Sequence, residues 1–199
     1  MFKRTGSGYS KAVSVDWLIV GLGNPGVEYE GSPHNAGFAV TERLAQAAGI
    51  RPITKHQGLW GTGELDDIPI ALLMPLTYMN LSGQSVKPAM KSLGLSAEQL
   101  VVIHDEIDLD FGRVQVKVGG GLAGHNGLKS IADLVGTREF VRIRLGVGRP
   151  DPGDRRPISD WILKPFPADR DTEALYTDGE RAARTVLQDG IRAATKRFT

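Results

Sequence analysis

Two short runs, Trp17–Leu22 and Leu100–His104, are apolar at almost every consecutive position. Six residues are too few for a helix, and unbroken apolarity at that length marks a strand buried in the middle of a sheet. Such a strand needs cover on both faces, so the chain must supply helices to either side. The stretches between the strands do so. Asn35–Ala48 reads as a helix with Phe38, Leu44, Ala45 and Ala48 near one face and Gly49 as its stop. Leu81–Leu93 reads as a second helix closed by Gly94, with Pro88 weakening its middle, and Asn126–Leu134 as a third. A long helix is expected over Asp169–Ile191, with Leu175, Ala182, Val186 and Leu187 apolar.

The remaining strands alternate. Leu59–Leu65 and Ile68–Met74 read as a hairpin turning at Asp66-Asp67. In Arg113–Val118, Val114, Val116 and Val118 face one way and Arg113, Gln115 and Lys117 the other; in Phe140–Val147, Val141, Ile143 and Leu145 lie opposite Arg142 and Arg144. Strands interleaved with helices, some strands alternating, predict a single α/β domain: a three-layer α/β/α sandwich around a mixed, largely parallel sheet. Its 199 residues suit one domain. The domain is expected over residues 16–199. Residues 1–15, short of apolar residues and basic with no acid before Asp16, read as a flexible leader.

Composition removes several chemistries. There is no cysteine, which excludes disulfides, thiolate metal sites and a cysteine nucleophile, and suits a reducing cytoplasm. No apolar run approaches the roughly 18 residues of a membrane helix. The net charge of +1 leaves any nucleic-acid affinity to a local basic patch. Gly21–Gly26 matches the dinucleotide fingerprint G-x-G-x-x-G after a strand. The mechanism needs a helix to begin at the third glycine, and Gly31 and Pro33 break any helix there. Glu42 falls inside a helix, where the fingerprint's acid should end a second strand. The glycines read instead as a sharp loop presenting Asn24 at the sheet edge.

Polar residues gather just beyond strand ends, where α/β sheets place ligands: Asn24, His34, Asn80, Asp105, and His125-Asn126 after the glycine-rich Gly119–Gly124. There is no G-x-S-x-G elbow. A histidine, a carboxylate and several amides make a kit for activating water rather than for covalent catalysis. Each has an ordinary reading. Asparagines form turns, a histidine at a helix start is commonplace, and Asp105 stands in a carboxylate run with Glu106, Asp108 and Asp110 that would suit a metal. No paired-ligand spacing supports that metal.

Seven stretches together resemble the bacterial peptidyl-tRNA hydrolase family, in its order and spacing. They are GLGNPG over 21–26, Tyr29, HNAGF over 34–38, PLTYMNLSG over 75–83, HDEIDL over 104–109, GGGLAGHNGL over 119–128 and FVRIRLGVGRP over 140–150. The resemblance is dense from Trp17 to about Phe166. It implies an ester hydrolase that frees peptide from tRNA for translation, a cytoplasmic monomer needing no cofactor and no metal. By position it implies His34 as general base, Asp105 as the carboxylate supporting it, and Asn24 as the amide that tells blocked from unblocked aminoacyl-tRNA. Tyr29, Tyr78, Asn80 and Asn126 would contact tRNA, Met79 would line the cleft, and Lys117 with Arg144 would hold the tRNA 5′-phosphate. This chain departs from the pattern at Ser32-Pro33, where the family usually has Thr-Arg, at Gln115, where many members carry lysine, and at Leu122. His125 reads as structural, bonded within the glycine loop. A non-catalytic RNA-binding protein on this scaffold, a nucleotide-dependent oxidoreductase and a metallohydrolase are the rival readings.

Overall fold

The computed structural model describes residues 14–150 and 153–199. Residues 1–13 of the expected leader, and positions 151 and 152, lie outside the described residues. Val15, counted with that leader, is buried in the core.

One seven-stranded sheet runs β2-β3-β4-β1-β5-β7-β6. Its strands are β1 (Trp17–Gly21), β2 (Ile53–Lys55), β3 (Gly58–Leu65), β4 (Ile68–Pro75), β5 (Leu100–Glu106), β6 (Val114–Val118) and β7 (Val141–Gly146). The four inner strands β4, β1, β5 and β7 are mutually parallel, while β3 and β2 on one side and β6 on the other add antiparallel. The most continuously apolar segments thus occupy the centre, where both faces are covered. Successive β1 residues feed opposite cores: Ile19 packs on one side, Leu18 and Val20 on the other. The first core is closed by α1 (Ala36–Ala47), α5 (Thr172–Asp189) and α6 (Ile191–Arg197), the second by α2 (Ser82–Leu93) and α3 (Asn126–Val135). A short α4 (Ile158–Trp161) lies between β7 and α5.

The β3–β4 turn is as expected: Asp66 and Asp67 both have positive φ (52° and 64°), which a two-residue hairpin of matching twist requires. The edge strand β2 was not legible. It is three exposed residues long, with Ile53 61% exposed, and has no buried face to write a pattern. Pro88 is accommodated inside α2; the Gln84 carbonyl, deprived of an N–H from Pro88, accepts from Gln57 Nε2 at 3.4 Å. The single C-terminal helix expected over Asp169–Ile191 is in fact two, broken at Gly190 (φ 85°, ψ 164°), with Asp171 capping α5. The break returns the chain to the sheet, where the Phe198 carbonyl accepts from Val116 N–H at 2.9 Å and blunts the β6 edge.

The glycine fingerprint has a packing origin. A Cβ on Gly21 would lie 2.3 Å from the Gly37 carbonyl and 2.2 Å from Thr41 Oγ1. One on Gly37 would lie 2.4 Å from the Ile103 carbonyl and 2.6 Å from Leu22 N. Helix α1 therefore rests directly on the ends of β1 and β5. That contact carries His34, just before α1, to the end of β5.

Candidate active site

His34 is the middle residue of a 3₁₀ turn, Pro33–Asn35, that leads into α1. Its backbone N–H donates to the Ile162 carbonyl at 3.0 Å, tying the turn to the segment after α4. Asp105 is the penultimate residue of β5 and is 4% exposed. His34 Nδ1 lies 2.9 Å from Asp105 Oδ1, so the residues expected as base and support meet across 71 positions of sequence. A carboxylate can only accept, so Nδ1 carries a proton, and in the neutral ring Nε2 is the nitrogen left as a base.

A second imidazole shares the same oxygen. His125 Nε2 is 3.0 Å from Asp105 Oδ1. His125 is also the N-cap of α3, with Nδ1 accepting from Gly127 N–H at 3.2 Å and Leu128 N–H at 3.4 Å. Two backbone donors at Nδ1 fix the proton on Nε2, which donates to Asp105. Within the glycine loop His125 is bonded through its backbone N–H, which donates to the Leu122 carbonyl at 2.9 Å, while its side chain bonds the first turn of α3 and reaches Asp105, which its sequence position did not reveal. Burial alone would raise the Asp105 pKa; the two imidazoles outweigh it by charge and hydrogen bonding and hold the carboxyl well below the usual range. Burial lowers the His34 pKa, but the charge and hydrogen bond of Asp105 carry it above its ordinary value. His104, fully buried beside His125, is kept neutral by burial, and its Nδ1 donates to the Asp105 carbonyl at 2.7 Å.

Ligand atoms of His34, Asp105 and His125 lie within 4.8 Å of one another, the spacing of a metal site. The donor chemistry fits poorly. To coordinate through Nε2, His125 would carry its proton on Nδ1, against the N–H groups of Gly127 and Leu128.

The histidines open into a cavity of 160 Å³ walled by Glu106, Ile107, Gly124 and Asn126, with Ile158 and Ile162 from the α4 segment. Nothing in the sequence singled out those isoleucines, whose wall is set by the chain's return after β7. Asn126, the first residue of α3, lines this cavity. Asn24 lies on the other side of the turn. Its backbone N–H donates to Asn35 Oδ1 (2.8 Å), Asn35 Nδ2 donates back to its carbonyl (3.0 Å), and its Oδ1 accepts from Met79 N–H (2.9 Å). Its Nδ2 has no partner among the described residues, so Asn24 offers a donor. Asn35, which holds it, was not singled out by sequence.

The other expected residues divide. Asn80 is exposed on a 3₁₀ turn, Met79–Leu81, that packs on α3, and Tyr78 beside it is 65% exposed. Met79 does not line the cavity. It is 5% exposed, and its Sδ would lie 2.5 Å from a Cβ on Gly127. Tyr29 lines a separate groove with Arg156 and Lys164. Lys117 is exposed and pairs in register with Arg142 across β6 and β7, so the basic strands are neighbours. The patch is smaller than expected. Arg142 is 2% exposed and donates to the Gly121 carbonyl at 2.7 Å. Arg144 is bonded to buried Glu106 at 2.8 Å and to Gln115, so the residue that replaces the family's lysine holds the arginine. Val118, at the end of β6 on the face of buried Val114 and Val116, is 40% exposed.

An imidazole bonded through Nδ1 to a buried carboxylate, with Nε2 left for a proton and a cavity lined by an amide beside it, defines a histidine-based hydrolase on an α/β sheet. The family described as peptidyl-tRNA hydrolase matches residues 18–199, through the C-terminal helices where the motif resemblance is looser. The peptidyl-tRNA hydrolase of Syntrophotalea carbinolica is 45% identical over 184 residues, 91% of this chain and 95% of its own. That of Citrifermentans bemidjiense is 51% identical over 150 residues, 75% of this chain and 78% of its own. The crystal structure of peptidyl-tRNA hydrolase from Acinetobacter baumannii superposes with a TM-score of 0.81 at 35% identity, covering 96% of this chain and 97% of that one. The chain belongs to the peptidyl-tRNA hydrolase family.

Proposed function

We propose that this protein hydrolyses the ester between the peptide and the ribose of peptidyl-tRNA, with His34 as general base. The observation that carries the proposal is the His34–Asp105 hydrogen bond, which holds Nδ1 and leaves Nε2 of the neutral ring as the base, with His34 lining the cavity. Water held at Nε2 gives up its proton as its oxygen attacks the carbonyl carbon. Asp105 steadies the imidazolium that forms, and His125 holds Asp105 in place. The oxyanion needs a donor, and Asn126 in the cavity wall is the side chain placed to supply one. Collapse breaks the ester C–O bond, and the imidazolium returns its proton to the ribose oxygen. No cofactor or metal enters this scheme, and one chain holds every group it uses.

Asn24 accounts for the choice of substrate. With its oxygen taken by Met79, it presents Nδ2–H, which suits the carbonyl of an N-acylated residue. A free ammonium brings only donors to that position and would be desolvated without a partner. On the RNA side, exposed Lys117 and Tyr78 contact the tRNA, Lys117 through phosphate charge and Tyr78 by stacking. Arg144 orders that surface through Glu106 more than it offers free charge.

Hydrolysis of N-acetylaminoacyl-tRNA and of the unblocked aminoacyl-tRNA, with EDTA present, tests the proposal. Release from the blocked substrate alone is expected. Tight tRNA binding without release would instead mean an RNA-binding protein, and release abolished by EDTA a metal-dependent one. Among the described residues no helix is long and apolar enough to cross a membrane; a cytoplasmic monomer acting beside translation fits this reading.

A further inference from the structure

A second concavity adjoins the His34 cavity. Consecutive residues line the two: His34 faces the cavity and Asn35 the neighbouring groove, which has a volume of 350 Å³. Asn24 stands at its head, 8% exposed, with Nδ2 unpartnered among the described residues. Its walls are apolar in part, with Leu59 and with Val27 and Leu76, which are 80% and 38% exposed. Glu30 and Glu42 supply the charge, and neither makes an ion pair among the described residues. Desolvation and the nearby Glu30 charge raise the Glu42 pKa, as for two acids that share a wall without a counter-ion. The groove continues past Ala39 and Glu42 into a further concavity of 510 Å³. The basic residue there, Arg43, is already paired with Glu173 at 2.7 Å and Glu180 at 3.6 Å.

We propose that this groove receives the peptide of the substrate upstream of its ester-linked residue, and that Glu30 and Glu42 select a lysine or arginine side chain there. The inference rests on the peptidyl-tRNA reading. Asn24 Nδ2 takes a peptide carbonyl at the threshold, the apolar walls cover the next residues, and the two carboxylates meet a cation they lack. Ion pairs at such part-exposed sites are worth up to about 1 kcal/mol, a factor of about five in kcat/KM.

The test is competition between N-acetyl-tripeptidyl-tRNAs identical except for Lys, Gln or Glu at each of the two upstream positions. Wild type should prefer Lys over Gln about threefold to fivefold at one of the positions, with Glu last. The Glu30→Gln/Glu42→Gln protein, its folding checked by a thermal melt, should lose the ratio. Equal rates for Lys and Gln in wild type, or a preference that survives the double substitution, would overturn the groove's role. Failure of wild type to release even N-acetylaminoacyl-tRNA would be a different result, removing the hydrolase reading and this inference with it.

Discussion

Replacing Asp105 with asparagine separates the two services a carboxylate gives a catalytic histidine. Both His34 Nδ1–H and His125 Nε2–H donate to one oxygen, Oδ1. An amide with its oxygen in that place keeps both hydrogen bonds and both tautomers, so Asp105→Asn removes charge and little geometry. Two unit charges about 4 Å apart interact by roughly 4 kcal/mol at an effective dielectric of about 20, which bounds the loss at about 10³. Above the acid limb, where the resting imidazole is neutral, the imidazolium forms only during reaction, so the loss should fall on kcat, by about 10²–10³, with KM little changed. The pH profile supplies a second readout. Asp105 raises the His34 pKa against burial, which lowers it. Without the charge burial prevails, and the acid limb of the rate profile should move to lower pH. Single-turnover release from N-acetylaminoacyl-tRNA between pH 5 and about 9 measures both, because the unperturbed histidine pKa of about 6.5 falls inside that window. A loss under about tenfold, or an acid limb that stays put or moves to higher pH, would refute the reasoning.

Gly37→Ala forces a methyl group against the Ile103 carbonyl and Leu22, and should cost about 1–3 kcal/mol of stability; a calorimetric fall in Tm of roughly 2–12 °C is expected, and an unchanged Tm would remove the close-contact account of the glycines. Asn24→Asp adds an anion beside the oxygen that Met79 holds, so the kcat/KM ratio of blocked over unblocked aminoacyl-tRNA should fall at least about tenfold; an unchanged ratio would sink the donor argument. Arg144→Ala leaves Glu106 buried without its partner and should destabilise the fold by about 3 kcal/mol, measured in urea, whereas Lys117→Ala should leave stability alone, raise KM and flatten its salt dependence. Equal stability of the two variants would mean Arg144 is free for RNA.

How far the sequence spoke depended on whether a residue's role is written in its neighbours. The central strands were legible because burial on both faces forces unbroken apolarity, as in Leu100–His104. Helix ends were legible where chemistry marks them, as at Gly94, which adopts the left-handed conformation after α2. The edge strand β2, with no buried face, and the break at Gly190, one glycine in an apolar-periodic stretch, carried no such mark. His34, Asp105 and Asn24 came from motif resemblance, and the meeting of His34 with Asp105 follows from helix α1 lying directly on two strand ends. The second bond to Asp105 was hidden because His125 reaches it from a loop 20 residues on. The arginines misled for a related reason. Alternation distinguishes the faces of a strand but cannot tell a face open to water from one roofed by the glycine loop, where Arg142 lies buried.

The most direct test of the account is the rate at which His34→Ala releases N-acetyl amino acid from N-acetylaminoacyl-tRNA, compared with wild type in single turnover with EDTA present. A general base contributes about 10²–10⁴ in rate, so release at least about 10² slower, with tRNA binding retained, is the expected result. Release within tenfold of wild type would contradict it, and would mean that water is activated elsewhere than at His34 Nε2.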